Sequence, residues 1–551
     1  MTLIMTTPIS IFNDVIGPVM RGPSSSHCAA ALRIGRLARD LMGGNINAVL
    51  VEFDRDGSLP TTHDSQGSDM GLFGGLLGWN ADDERLPQSN DYLSDAGIEI
   101  RFEIVDVGDP HPNTYRLRLT NDEEEHSLIA ISTGGGMIEV VEIDGFKLSM
   151  LGDYRETLAV IRPLPTFDSK ELMDWIETNL SSDAASLHQS GDLVLIQIKG
   201  SQFLGAVDLQ GLSSFGSLVW TKQLDCVLPV MSYKGMQVPF RTCAELVNYA
   251  ESKDLQLWEL AIEYECARGN LSREKVVSQM IEIVRILRRS IASGIAGNSY
   301  DDRVLGHQSG RFQERWQQGR LLGGNMLNRV VLYVTSLMEV KSSMGVIVAA
   351  PTAGACAALP GAVIAVAEEL GLSEEQMAHG LLAAGLIGVF ITGQWTFAAE
   401  VGGCQAEGGA AACMAGAALV TLSNGSLKQS LAASSLAFQS MLGLICDPIA
   451  NRVEAPCLGK NVMAASNALC CANMALADFD PLIPLDEVIW AAKDVASKMP
   501  REHRCTSLGG LAITPTSLKI EQELIMKKSK CGAGCGCGIA PAITPRLQTK
   551  N

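Results

Sequence analysis

"SREKVVSQMIEIVRILRRSIASG", residues 272–294, marks the point at which this chain turns helical. Val276, Met280, Val284, Leu287 and Ile291 recur at helical spacing on one face, and Ser272 stands ahead of them as an N-cap. Downstream the pattern persists. Gly371 closes one helix, and Ser373 with Gln376 forms a capping box for the next. Residues 380–400, 408–423 and 464–478 are rich in Ala, Gly and Leu with few charges, which suits helices surrounded by other helices. The expectation is an all-α bundle over residues 237–517.

Residues 9–155 read differently, as a mixed α/β domain. "SHCAAALRIGRLARDLMGG" (26–44) has helical periodicity and closes on a glycine pair, whereas "IEIRFEIVDV" (98–107) and "TYRLRLT" (114–120) alternate as half-buried strands do. Residues 156–205 form a smaller strand–helix–strand module, "ETLAVIRPLP", "SKELMDWIETNL" and "GDLVLIQIKG". Residues 206–236 are read as a linker, and 518–551 as a flexible Cys/Gly-rich tail carrying Cys531, Cys535 and Cys537. The fold class expected is α+β multidomain.

At 551 residues the chain is long enough for two or three domains. Its formal net charge of −18 offers no basic surface for a phosphate backbone, so nucleic acid is not an expected partner. "GVIVAAPTAGACAALPGAVIAVA" (345–367) imitates a membrane span, but its prolines and turn-prone glycines favour a buried globular element, and no membrane partner is expected. The first ten residues lack a basic n-region and a long apolar stretch, so a cytoplasmic setting with reduced thiols is expected for the 15 cysteines.

Three cysteines stand in turn-rich contexts: Cys404 in "AEVGGCQAEGG", and Cys446 and Cys457 at the two ends of "CDPIANRVEAPC" (446–457). Three thiolates fall short of a four-cysteine zinc site, but they can hold a 4Fe–4S cluster with one open iron, a Lewis acid for an oxygen ligand. Ordinary buried cysteines in an alanine-rich bundle are the plainer reading of the spacing, and both stand open at this point. "GPSSSH" (22–27) sets Ser24, Ser25, Ser26 and His27 before a helix start, where free N–H groups suit a carboxylate. "HPN" (111–113) adds His111 and Asn113, and "PTAGA" (351–355) adds a turn with Thr352 and Gly354 whose N–H groups can face an anion.

Taken together, "GGCQAE", "CDPIANRVEAPC", "KSSMGVIVAAPTAGACAALPG" and "LGGLAITPT" resemble the α-chain of iron–sulfur-dependent L-serine dehydratases. "SIFNDVIGPVMRGPSSSHCAAALRIGRLAR", "GSDMGLFGGLLGWNADDERLP", "DPHPNTYRL" and "STGGGMIEVVEIDGF" resemble the β-chain, fused ahead of it. The resemblance implies that Cys404, Cys446 and Cys457 hold a 4Fe–4S cluster with one open iron. It implies deamination of L-serine to pyruvate and ammonia without pyridoxal phosphate. His27 or His111 would act as base, Ser24, Ser25, Ser26, Asn113, Thr352 and Gly354 would hold the carboxylate, and Gln66 and Asp69 would also bind substrate. Residues 156–205 sit where relatives carry an ACT-type regulatory module, which makes a homodimer the expected assembly.

Two departures bear on the substrate. "SQGSD" (65–69) stands where the family has "GHGTD", so Gln66, beside Asp69, replaces a titratable histidine, with His63 nearby as a possible substitute. Cys28 follows "SSSH" where threonine is usual. The alternatives are the same cluster chemistry on threonine, cysteine or another β-substituted amino acid, and an inactive amino-acid-binding homologue.

Overall fold

The computed structural model describes residues 7–531 except Pro23, Ser65, Ser299 and Asp301. The N-terminal half is built on two sheets. Strands β2 (Ala48–Asp54), β3 (Glu99–Val105), β4 (Thr114–Thr120), β5 (Glu125–Gly134), β6 (Met137–Ile143) and β7 (Phe146–Met150) form a six-stranded sheet in the order β3-β2-β4-β5-β6-β7. Only β2 and β3 run parallel. Alternation in β4 turns Tyr115, Leu117 and Leu119 into a core shared with Ile34, Leu37 and Leu41 of helix α1 (Ala30–Leu41). α2 (Leu59–Thr62) is a single turn, and α3 (Ser68–Leu76) packs on α1. Glycines let those two backbones touch: a Cβ at Gly75 would lie 2.2 Å from the Leu32 carbonyl oxygen, and one at Gly35 would lie 2.5 Å from that of Leu72.

The second sheet holds β8 (Arg155–Pro163), β9 (Ala184–Ser190), β10 (Leu193–Gly200) and β11 (Gly216–Leu224) in the antiparallel order β11-β8-β10-β9. Ala159, Ile161, Ile196 and Ile198 face α4 (Ser169–Asn179) through Leu172 and Ile176. The opposite face, with Leu158, Val160 and Leu195, joins the core of the first sheet. The module therefore extends past residue 205. Residues 206–224, expected as linker, supply a short helix (Ala206–Gln210) and β11, which pairs with β8 along its length. β11 escaped the sequence reading because it is an edge strand with mostly exposed residues and no clean alternation.

The C-terminal half contains α5 (Arg273–Ala296), α6 (Asn325–Ser342), α7 (Ala358–Glu369), α8 (Glu374–Gln394), α9 (Ala410–Leu422), α10 (Cys457–Leu476) and α11 (Pro515–Cys531). Ser272 caps α5 by accepting from the Lys275 N–H at 3.2 Å, and the five anticipated apolar residues are buried. α9 is buried at every residue, because alanine and glycine let its neighbours close around it. α8 is the one helix among the described residues long and apolar enough to cross a membrane, and most of that apolar stretch is buried in the bundle. Residues 345–367 form no single helix; they divide into a short strand, a turn and α7.

The all-helical reading of the bundle and two further boundaries are corrected. The bundle is not purely helical, because β12 (Val346–Val348) pairs antiparallel with β1 (Val19–Arg21). The first described residues belong with it as well. Ile11 and Val15 sit in the bundle core against Gly385 and Gly388, and Glu265 accepts from Ser10 Oγ at 2.5 Å and from the Ile11 N–H at 2.8 Å. The tail expected from residue 518 begins too early, since α11 runs to Cys531. Its inward face of Ser517, Ile520 and Leu524 at helical spacing was the missed signal. Cys535 and Cys537 lie outside the described residues.

Candidate active site and metal centre

The three cysteines arrive on three pieces of chain. Cys404 follows Gly403, a residue at φ 67 where a Cβ would lie 2.9 Å from the Leu444 carbonyl oxygen, and it heads the turn that leads into α9. Cys457 opens α10. Cys446 lies in an extended segment whose N–H donates to the His503 carbonyl at 2.9 Å. All three are buried and unpaired. The sulfurs of Cys404 and Cys446 and one carboxylate oxygen of Glu407 lie within 4.8 Å of one another, a group that can hold a metal ion. Thiol neighbours push the Cys446 pKa upward, with Cys404 first and Cys505 next; burial, ahead of the charge of Cys404, does the same at Cys457. Thiols so crowded suit a cation among them.

Positive charge flanks the sulfurs. Lys460 Nζ lies 3.7 Å from Cys404 Sγ and donates to Asp447 Oδ1 and the Ile445 carbonyl, each at 2.6 Å. Burial opposes its charge, but Cys404 and Asp447 outweigh burial and hold its pKa above the ordinary value. Lys341, fully buried, donates to the Val453 carbonyl within the stretch that separates Cys446 from Cys457. That stretch also clamps a loop: Arg452 Nη1 donates to the Asp302 carbonyl at 2.8 Å, and Glu454 accepts the Val304 and Leu305 N–H groups at 2.8 Å.

The Thr352–Gly354 turn sits against the same pocket. Thr352 Oγ1 donates to Glu407 Oε1 at 2.7 Å, and a Cβ at Gly354 would lie 2.7 Å from that oxygen. Asn461 on α10 donates to the Gly354 and Cys457 carbonyls at 2.9 Å and accepts the Ala358 N–H at 3.0 Å. One side chain thereby fixes the turn relative to Cys457. Burial pushes the Glu407 carboxyl up to about 7, against the lowering effect of the Thr352 bond.

The histidines form a second group, organised by α2. His27 is bonded to Ser24 Oγ through Nδ1 at 2.9 Å and to Thr62 Oγ1 through Nε2 at 3.1 Å. Thr62 Oγ1 itself donates to the Ser58 carbonyl at 2.7 Å, so Nε2–H is the donor to Thr62, and Nδ1 carries the lone pair that accepts from Ser24. Burial pulls the His27 pKa down to about 4, leaving the ring neutral near pH 7. At the other end of α2, Ser58 Oγ donates to Asn113 Oδ1, and the Asn113 N–H donates to His111 Nδ1 at 3.2 Å. "GPSSSH" and "HPN" thus meet through α2 without direct contact between their histidines. Ser25 is buried, and the Ser26 carbonyl accepts from Ser132 Oγ at 2.7 Å. Gln66 is half-buried, its N–H bonded to the Thr62 carbonyl at 2.9 Å. Asp69 is engaged by His63, whose Nδ1 lies 2.7 Å from Oδ1 while its ring stacks on Phe102. His63 therefore orients Asp69 and takes no free position beside Gln66.

Burial pushes the Tyr300 pKa up, and the charges that act on it are those of Asp302, Arg452, Asp64 and Glu454. Sequence reading missed Glu407, Lys460 and Cys505. Glu407 stood in the quoted "AEVGGCQAEGG", three residues past the cysteine; for Cys505 no local pattern pointed inward.

Comparison with known proteins fits this geometry. A family model described as serine dehydratase alpha chain matches residues 252–512. The probable L-serine dehydratase alpha chain of Bacillus subtilis is 35% identical over 285 residues, 52% of this chain and 95% of that protein. The probable beta chain of the same organism is 42% identical over 151 residues, 27% of this chain and 67% of that protein. The L-serine dehydratase of Helicobacter pylori (strain J99) is 29% identical over 306 residues, 54% of this chain and 67% of that protein. A chain with a mixed α/β half and a helical half around a cysteine pocket is of the two-part dehydratase class. It belongs to the serine dehydratase family, with beta-chain similarity ahead of the alpha-chain region.

Proposed function

We propose that the chain is an L-serine ammonia-lyase, converting L-serine to pyruvate and ammonia, with a 4Fe–4S cluster held by Cys404, Cys446 and Cys457. The observation that carries this is the approach of the buried free thiols of Cys404 and Cys446 to Glu407, with the buried Cys457 thiol close enough to feel the charges of Cys404, Lys341, Glu407 and Lys460. Such a donor set fits an iron–sulfur cluster: soft ligands, a buried setting and cations that offset thiolate charge. When bound, the cluster supplies Lewis acidity to the substrate hydroxyl.

The chain's own residues supply the rest. His27, neutral at physiological pH, takes the α-proton at Nδ1 once Ser24 yields that position to substrate. Ser24, Ser25 and Asn113, with the N–H groups of the Thr352–Gly354 turn, hold the carboxylate. Gln66, a hydrogen-bonding group that does not titrate, favours as a second reading the same chemistry on threonine or another β-substituted amino acid. The exposed Leu218 and Val219 on the free edge of β11 support pairing of two copies through the β8–β11 module, read as ACT-type. Free thiols throughout the described residues support a reducing, cytoplasmic setting. The test is anaerobic reconstitution with iron and sulfide, then a keto-acid assay with L-serine and L-threonine. Pyruvate from serine is expected; bound iron with turnover of threonine alone would move the assignment to the second reading.

A further inference from the structure

Away from the cysteine pocket, α5 and α7 border an open groove of about 500 Å³, within the range of about 300–1,000 Å³ usual for small-molecule sites. Its floor is apolar, made by Ile291, Ala292 and Ile295 of α5 and Ile364 of α7. Its rim is charged, with Arg285, Arg288 and Arg289 set against Glu368 and Glu374. Glu374, the first residue of α8, accepts from Arg285 Nε at 2.9 Å and from Arg288 Nη1 at 2.8 Å. Glu368 accepts from the Tyr333 hydroxyl and lies 3.4 Å from Arg288 Nε. That leaves the exposed Arg289 as the one charge of the groove with no ion pair among the described residues. Arg285 and Arg289 stand one helical turn apart, where like charges repel and a bound anion brings relief. In a chain of net charge −18, this groove carries a surplus of one positive charge.

We propose that the groove binds a small aliphatic carboxylate as an effector, its carboxylate on Arg289 and its hydrocarbon on the isoleucine floor. The planar guanidinium fork matches a carboxylate, and the floor rewards an apolar chain that phosphate lacks. Glu368 and Glu374 are already engaged, so an ammonium group finds no free partner there. The helices that frame the groove also hold the active site. Ser290, next to Arg289 in the chain, is buried, and its Oγ donates to the Val346 carbonyl of β12 at 2.7 Å. Gly294 seats α5 on α6, where a Cβ would lie 2.4 Å from the Ser336 carbonyl oxygen. α7 starts at Ala358, whose N–H donates to the same Asn461 that holds the Gly354 carbonyl. A ligand that bridges α5 and α7 steadies both supports, so it favours substrate binding.

The test is calorimetric titration of the full chain with isocaproate, L-leucine and inorganic phosphate, for wild type beside Arg289→Met and Ala292→Glu. Both positions are exposed on α5, and circular dichroism checks each fold. Wild type should bind isocaproate, and either substitution should weaken that binding by about tenfold or more. L-leucine and phosphate should bind wild type more weakly than isocaproate does. On the anaerobically reconstituted protein, isocaproate should lower the KM for L-serine in wild type and leave it unchanged in Arg289→Met. No binding of isocaproate, or equal binding by all three proteins, would overturn the site. Phosphate or L-leucine binding as tightly as isocaproate would overturn the ligand class, and binding with no change in KM would overturn the effector role. That role rests on the L-serine reading above, whereas the binding does not. Absence of turnover in every protein would count against that reading and leave the calorimetry to decide the site.

Discussion

His27 is the residue whose surroundings say most about its work. Its folded pKa of about 4 lies below the ordinary 6.5 because burial disfavours the charged ring. The neutral ring therefore contributes stability that is complete above pH 6.5 and is lost as pH falls through about 4, because the unfolded chain takes up the proton first. The full difference is about 3 kcal/mol. In urea titrations between pH 7 and pH 4, His27→Gln should lose less stability than wild type; equal slopes would place the ring in a wetter setting than described. Gly354→Ala is the second residue-scale case. Its methyl would press on Glu407 Oε1, so the Thr352 bond should open and turnover should fall while the melting temperature shifts little. Unchanged turnover would remove the Thr352–Gly354 turn from the site. At this scale the sequence exposed residues within dense motifs, such as His27 and Thr352. It hid Cys505, Lys460 and Thr62, whose roles arise from contacts across the fold.

Between elements, small residues and buried charge decide the packing. α1 and α3 approach through Gly35 and Gly75, and the Cβ of an alanine at 75 would meet backbone, which has little room to move. Gly75→Ala should destabilise the N-terminal half by about 1–3 kcal/mol, read as a lower denaturation midpoint. In the β8–β11 module, Glu156 is buried, with Gln197 Nε2 donating to Oε2 at 2.6 Å and Lys199 Nζ 3.6 Å from Oε1. Burial, offset in part by Lys199 and Gln197, pushes its carboxyl up to about 7. A folded pKa above the unfolded value makes the contribution complete below pH 4.5 and lost as pH rises through 7, by about 3 kcal/mol. Glu156→Gln should therefore raise the urea midpoint at pH 8 and leave it unchanged at pH 4.5; a variant weaker than wild type at pH 8 would show that the charged pair holds the module together. Strongly periodic elements such as α5 were legible in the sequence, as was the capping box at Ser373. β11 was not, because an edge strand carries little hydrophobic signal, and α11 was concealed by the polar run beside it.

The whole molecule is interlocked more than a reading by segments suggests. From its first described residues the chain runs inside the helical bundle, crosses to the sheets and returns, and the β1–β12 pair joins the two halves. That return was invisible to periodicity, because three-residue strands and a five-residue turn fall below any window that could detect them. Its consequence is that the strand leading into "GPSSSH" is anchored on the bundle, where Arg21 Nη1 donates to the Met344 carbonyl at 3.3 Å. The most direct measurement is iron and sulfide content, with pyruvate formation from L-serine, for anaerobically reconstituted wild type beside Cys404→Ser, Cys446→Ser and Cys457→Ser. The expected result is a cluster and turnover in wild type, and loss of both in each folded variant. Iron content and turnover unaffected by all three replacements would contradict the account.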